Sequence, residues 1–144
     1  MGPRAGLSLL YSQFFVKLPI PTTSFVNQTI IVTGSNTGLG REAANHIVRL
    51  GAAKVILAVR NLSKGEDARR YIESKTGRTG VVEVWELDLA SYGSVKAFAE
   101  RAEGLERLDA LLENAGISVH EFEMTEDNEC VPFPIPPTRV NHLT

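Results

Sequence analysis

The sequence predicts an α/β protein, a doubly wound parallel sheet with helices on both faces, truncated after about four strands. Three observations predict it. From residue 29 onward, short apolar runs alternate with amphipathic segments; the connections between them are short; and a glycine-rich turn joins the first run to the first amphipathic segment. At 144 residues, 43% hydrophobic and 22% charged, the chain has the length and composition of one globular domain or a piece of a larger one.

The elements follow in order. Thr29-Ile30-Ile31-Val32 is β-branched throughout and reads as a buried strand. After the glycine turn, Gly40, Ala43, Ala44, Ile47 and Val48 recur at helical spacing, and Gly51 stands where a helix ends. Val55 to Val59 is a second apolar run, covered on both faces. Ser63 and Glu66 have the spacing of a capping box and open a second helix, with Ala68, Tyr71 and Ile72 on one face and Gly77 closing it. Val81 to Leu89 is a third strand, and its Glu83, Glu86 and Asp88 suit a sheet edge rather than the centre. Ser91 or Ser94 caps a third helix with Val95, Phe98, Ala99 and Ala102 inward, and Leu108 to Glu113 is the fourth strand. Right-handed crossovers and a buried first strand give the spatial order 3-2-1-4, the Rossmann arrangement or most of its first half.

Composition excludes several classes. Fifteen basic against 17 acidic side chains leave a net charge of −2, which offers nucleic acid or an anionic membrane no attraction. Cys130 is the single cysteine, and His46, His120 and His142 lie far apart, so a disulfide scaffold and a metal cluster are not expected. A reducing, cytoplasmic setting follows. The apolar stretch Ala5 to Val16 is too short to span a membrane and runs into Lys17-Leu18-Pro19-Ile20-Pro21, so it reads as an arm on the domain, with contact to a membrane surface as the second option. Near the other end, Val131 to Pro137 carries four prolines in six positions and holds no regular helix.

Thr33-Gly34-Ser35-Asn36-Thr37-Gly38-Leu39-Gly40 lies between the first strand and first helix. A helix N-terminus leaves backbone N–H groups unpaired at a positive pole, which makes an anion site. Gly34 permits the tight turn, Gly38 lets a pyrophosphate approach the backbone, and Gly40 brings the helix close to the sheet. This turn resembles the TGxxxGxG signature of the short-chain dehydrogenase/reductase family, and three later segments fit in order. Trp85-Glu86-Leu87-Asp88-Leu89 resembles the segment whose aspartate binds adenine; Asn114-Ala115-Gly116 resembles the motif that supports the sheet and borders the cofactor; Val140-Asn141-His142-Leu143 resembles the segment of the catalytic asparagine. Among the family's branches, retinol-dehydrogenase-like and fungal biosynthetic members are the most similar.

The resemblance implies cofactor contacts from Gly34, Ser35, Asn36, Thr37, Gly38, Leu39, Gly40, Asp88, Leu89, Asn114, Ala115 and Gly116, and a catalytic place for Asn141. Asp88 also suits the turn before the third helix, and both roles stay open. Twenty residues past Gly40, where a carboxylate selects NAD, stands Arg60; its guanidinium suits a 2′-phosphate and favours NADP over NAD. The organisation expected is an arm (1–28), an NAD(P)-binding Rossmann half-domain (29–123), and an irregular proline-rich tail (124–144) ending in a partial family motif.

The family's chemistry implies a tyrosine that exchanges a proton with the substrate, a lysine four residues on, and a serine. Tyr71-Ile72-Glu73-Ser74-Lys75 has that spacing but lies on the second helix, on the flank of the sheet, so Tyr71 reads as a packing residue and Lys75 as a solvated charge. The sequence is expected to stop before the family's catalytic serine and tyrosine–lysine pair. Asn114 and Asn141 are 27 residues apart, several more than the family's spacing, and the excess falls on the proline cluster, as a mis-spliced segment would. The expected function is an NADP-dependent oxidoreductase of an alcohol or ketone, with a hydrophobic or secondary-metabolite substrate. The alternative is a non-catalytic NADP-binding module or an inactive fragment.

Overall fold

The computed structural model describes residues 22–116. Most of the expected arm, the end of the expected half-domain, the proline-rich tail, Cys130 and Asn141 lie outside the described residues. Four strands, β1 (Thr29–Thr33), β2 (Lys54–Val59), β3 (Val82–Glu86) and β4 (Ala110–Leu112), alternate with three helices, α1 (Gly38–Arg49), α2 (Leu62–Thr76) and α3 (Tyr92–Glu103). All strand pairs are parallel and the order is β3-β2-β1-β4, as the sequence predicts.

Successive strand residues point to opposite faces, so a strand covered on both sides needs apolar residues at every position. On one face Ile30, Val32, Val55, Leu57, Val59 and Val82 meet Ala44, Ile47 and Val48 of α1 and Ala68 and Ile72 of α2. On the other, Ile31, Ile56, Ala58, Trp85 and Leu87 meet Val95, Phe98 and Ala102 of α3, with Leu105 beyond it. Each fully buried aliphatic side chain contributes about 1.5–3 kcal/mol. The Trp85 and Phe98 rings meet edge to face at 5.8 Å, and the Arg101 guanidinium lies 3.9 Å from the Trp85 ring. Ala43 is half-buried and Ala99 is exposed, so neither completes the inward face expected of it.

β3 is an edge, and its Glu83 shows how a charge is tolerated there. The carboxylate accepts from Trp85 Nε1 at 2.9 Å and pairs with Lys54 Nζ at 2.8 Å. The strand ends at Glu86, short of the expected Leu89, because the chain turns at Asp88. α2 starts from Asn61, not Ser63. Asn61 is extended (φ −110°, ψ 106°) and its side chain accepts from Lys64 N at 3.0 Å, which places Ser63 inside the helix and leaves Glu66 to pair with Arg69 at 2.7 Å. Gly77 closes α2 in the left-handed conformation, as expected. α1 ends at Arg49 with Leu50 as its C-cap, and Gly51 follows at φ +100°.

β4 is shorter than expected and its three residues are exposed. Its start is fixed to β1 twice: Asp109 N donates to Thr29 O, and Thr29 N donates to Asp109 Oδ2, both at 2.9 Å. The Arg107 guanidinium, first, and the Thr29 N–H, second, hold the Asp109 carboxyl below the usual carboxylate range. A carboxyl whose pKa falls on folding adds stability above its unfolded value, and that stability disappears as pH drops through the lower folded value. We therefore expect Asp109→Asn to flatten the acid limb of a stability–pH curve below about pH 4, measured by urea unfolding at fixed ionic strength. An unchanged acid limb would contradict the assignment.

Candidate functional site

The C-terminal ends of the four parallel strands form one crest, and the sequence-predicted site residues within 22–116 all lie along it. Elements that run strand, turn, helix put each helix N-terminus there. At the end of β1, Gly34 turns the chain at φ +62° and donates its N–H to Ala58 O at 2.9 Å. A Cβ on Gly34 would lie 2.8 Å from Ala115 Cα, so glycine is needed for both conformation and space. α1 then begins from Thr37, whose side chain makes no capping hydrogen bond, and no acidic residue occupies its first turn. Its positive pole is therefore left without an internal anion.

Gly38 (φ +57°) has nothing within 4 Å of the position a Cβ would take. The backbone there is open to an approaching group. Gly40 is different: its Cβ would meet Asn114 Nδ2 at 2.5 Å, Gly34 O at 2.7 Å and Ser35 Cα at 3.1 Å. The third glycine thus makes room for the Asn114 side chain, just past β4, and for the turn itself. Ser35 is buried and its hydroxyl donates to Val32 O at 2.8 Å, so its side chain shapes the turn. Asn36 is half-buried, while Thr37 and Leu39 are exposed.

Asn114 and Ala115 lock onto this turn. Asn114 Nδ2 donates to Thr33 O at 3.1 Å and Gly34 O at 3.3 Å; the N–H groups of Asn114 and Ala115 both donate to Thr33 Oγ1 at 3.0 Å. Thr33 is the residue that sequence reasoning missed. It stands first in the glycine signature, yet its partners are 79 to 82 residues away, and only the β1–β4 pairing brings them together. Gly116 is exposed with open space around it.

Arg60 follows β2 directly, is exposed, and has no ion-pair partner among the described residues. It sits just before the start of α2, whose first turn also lacks an acidic residue. At the end of β3, Asp88 Oδ1 accepts from Ala90 N at 3.0 Å and Asp88 N donates to Ser94 Oγ at 2.9 Å. Ser91 caps α3, so Asp88 shapes the turn that precedes the cap. Leu89 beside it is exposed.

Tyr71 lies between α1 and α2, as expected of a packing residue: its hydroxyl donates to Glu42 Oε1 at 3.1 Å and the Arg41 guanidinium lies 4.0 Å from the ring. A second YxxxK spacing, missed from the sequence, opens α3 with Tyr92 and Lys96. It follows β3, three strand spacings (roughly 14 Å) across the sheet from β4. An open cleft of about 330 Å³ lined by Glu86, Ser94, Ala97, Phe98 and Arg101 is also on that outer edge, away from the glycine turn. Among the described residues there is no acidic, histidine or cysteine cluster that could hold a metal ion, and no helix long and apolar enough to cross a membrane.

A parallel 3-2-1-4 sheet whose first turn offers uncapped amides beneath an open glycine defines a Rossmann-like nucleotide-binding fold. Residues 28–132 match the family described as short chain dehydrogenase, and the chain belongs to that oxidoreductase family. A short chain dehydrogenase/reductase of Cryptosporiopsis sp. is 53% identical over 125 residues, which are 85% of this chain and 39% of the relative. A short chain dehydrogenase of Emericella nidulans is 52% identical over 126 residues, 88% of this chain and 40% of the relative. The crystal structure of a short chain dehydrogenase from Escherichia coli CFT073 complexed with NADPH is similar at a TM-score of 0.58 and 38% identity, over 67% of this chain and 41% of that one. The chain thus spans about two fifths of the length of each of these proteins.

Proposed function

We propose that residues 29–123 bind NADP(H), as the cofactor-binding part of an oxidoreductase acting on an alcohol or ketone. The observation that carries this reading is the open backbone at Gly38, under a helix pole that has neither a side-chain cap nor an acidic neighbour. The residues present fit the cofactor. The amides of Ser35 to Gly40 face a diphosphate, Gly38 lets it approach, Asp88 and Leu89 border the adenine, and Asn114, Ala115 and Gly116 border the crest beyond β1. The exposed Arg60 meets the 2′-phosphate, in accord with the NADPH complex of the Escherichia coli relative. A bound nicotinamide supplies hydride transfer to or from a carbon bearing oxygen. This chain's own residues bind and orient it: Thr33 and Asn114 hold the glycine turn to β4, and the cap at Asn61 fixes the loop that carries Arg60.

A hydrophobic secondary-metabolite substrate and Asn141 as the catalytic asparagine are proposed on the sequence resemblance alone. The first test is a titration of the full chain with NADPH and NADH, followed by nucleotide fluorescence. One saturable site is expected for NADPH, with NADH at least about tenfold weaker. Absence of saturation, or tighter NADH, overturns the reading. A panel of carbonyl substrates with NADPH then separates an oxidoreductase from a non-catalytic binding module.

A further inference from the structure

Tyr71 and Lys75 carry a motif that the cofactor site does not use, and their surroundings on α2 are unusually polar for a helix–helix contact. The Glu42 carboxylate accepts three donors: Tyr71 OH at 3.1 Å, Arg41 Nη2 at 3.5 Å and Asn45 Nδ2 at 3.4 Å. Arg41 lies over the Tyr71 ring at 4.0 Å, and Lys75 Nζ is 5.9 Å from its centre. Arg41 Nε and Asn45 Oδ1 are buried with no partner, so the cluster holds desolvated polar atoms that an aliphatic contact would avoid. Directional polar groups fix one register, whereas small apolar contacts such as Ala44 and Ala68 resist sliding weakly.

The register matters at the crest. Glu42 is the fifth residue of α1 and Tyr71 the tenth of α2, and both helices run down from the crest. Their junction therefore fixes how far α2 stands along α1. Arg60 and Asn61 precede α2 at its crest end, one strand over from the glycine turn. At the opposite end, Arg78 Nη1 donates to Val48 O at 2.5 Å and ties the two helices together at the base of the sheet.

We infer that Tyr71, held by Glu42 and Arg41, is a positioning residue that sets the height of Arg60 over the glycine turn and so the preference for a 2′-phosphorylated nucleotide. The inference deepens the cofactor reading and rests on it. Its test compares NADP⁺ and NAD⁺ affinities by calorimetry for the full chain and for Tyr71→Phe, which keeps the ring and loses the bond to Glu42. Amide exchange at Lys64 and Gly65, both bonded to Asn61, is followed in the ligand-free protein. Tyr71→Phe is expected to lower the NADP⁺/NAD⁺ affinity ratio about threefold or more and to speed exchange at those amides. Glu42→Gln, which keeps the shape, moves the ratio the same way and serves if Tyr71→Phe does not fold. Arg78→Met, which loosens the base, lowers the melting temperature and keeps the ratio. An unchanged ratio in Tyr71→Phe, or an equal change in Arg78→Met, overturns the inference while the cofactor reading stands. A parent chain that binds neither nucleotide, or prefers NAD⁺, sinks the cofactor reading and this inference with it.

Discussion

Gly40→Ala is expected to destabilise the fold by about 2–5 kcal/mol and to weaken nucleotide binding more than tenfold. The added methyl would meet three groups at once: the Asn114 amide at 2.5 Å, the Gly34 carbonyl at 2.7 Å and Ser35 Cα at 3.1 Å. Asn114 can withdraw only by giving up its bonds to Thr33 O and Gly34 O, each contributing about 1 kcal/mol. Gly34 O and Ser35 belong to the turn itself, so their movement distorts the path of the amides that face the anion. Gly38→Ala is the control, since its methyl enters open space. It adds left-handed strain of about 1–2 kcal/mol yet places a Cβ where the diphosphate approaches. The fold should therefore tolerate Gly38→Ala better than Gly40→Ala, while both lose affinity. Urea unfolding and a nucleotide titration read the two effects separately. A Gly40→Ala protein within about 0.5 kcal/mol of the parent would show that the close approach at Gly40 is not a constraint.

What was legible in the sequence was what depends on neighbours in the chain. β2 was legible because a strand covered on both faces has to be apolar at each position, and Val55 to Val59 are all buried. Gly77 was legible because a helix end needs a residue that accepts positive φ. The start of α2 was misread for a local reason. Asn61 and Ser63 both offer a capping oxygen within three residues, and only the backbone, extended at Asn61, decides between them. The site divides the same way. The need for glycine at positions 34 and 38 follows from the turn alone. That Thr33 Oγ1 accepts the amides of Asn114 and Ala115 depends on β4 docking beside β1, a pairing between residues some 80 apart. The short, exposed β4 could not be bounded from its pattern, because Ala110-Leu111-Leu112 looks as apolar as a core strand.

The second large effect falls on cofactor choice. Arg60→Ala is expected to reduce NADP⁺ affinity about 10- to 100-fold while changing NAD⁺ affinity less than about twofold. A guanidinium bound to a phosphate makes parallel charge-assisted hydrogen bonds, about 1.5–3 kcal/mol in all, and NAD⁺ lacks the group that receives them. No carboxylate on the first turn of α2 competes for Arg60 or repels the phosphate. Lys64, exposed on that turn, keeps part of the field when Arg60 is gone, so some preference for NADP⁺ should survive the alanine variant. Arg60→Asp goes further: it repels a 2′-phosphate and offers the ribose hydroxyl an acceptor, so the preference should reverse toward NAD⁺. Because Arg60 and Lys64 are exposed, their contributions are screened, and the parent's NADP⁺ advantage should shrink as salt rises from 0.05 to about 0.5 M, with the smaller advantage of Arg60→Ala shrinking by less. Equal losses for both nucleotides in Arg60→Ala would mean that the arginine supports the loop without contacting a 2′-phosphate, and the basis for choosing NADP over NAD would be gone.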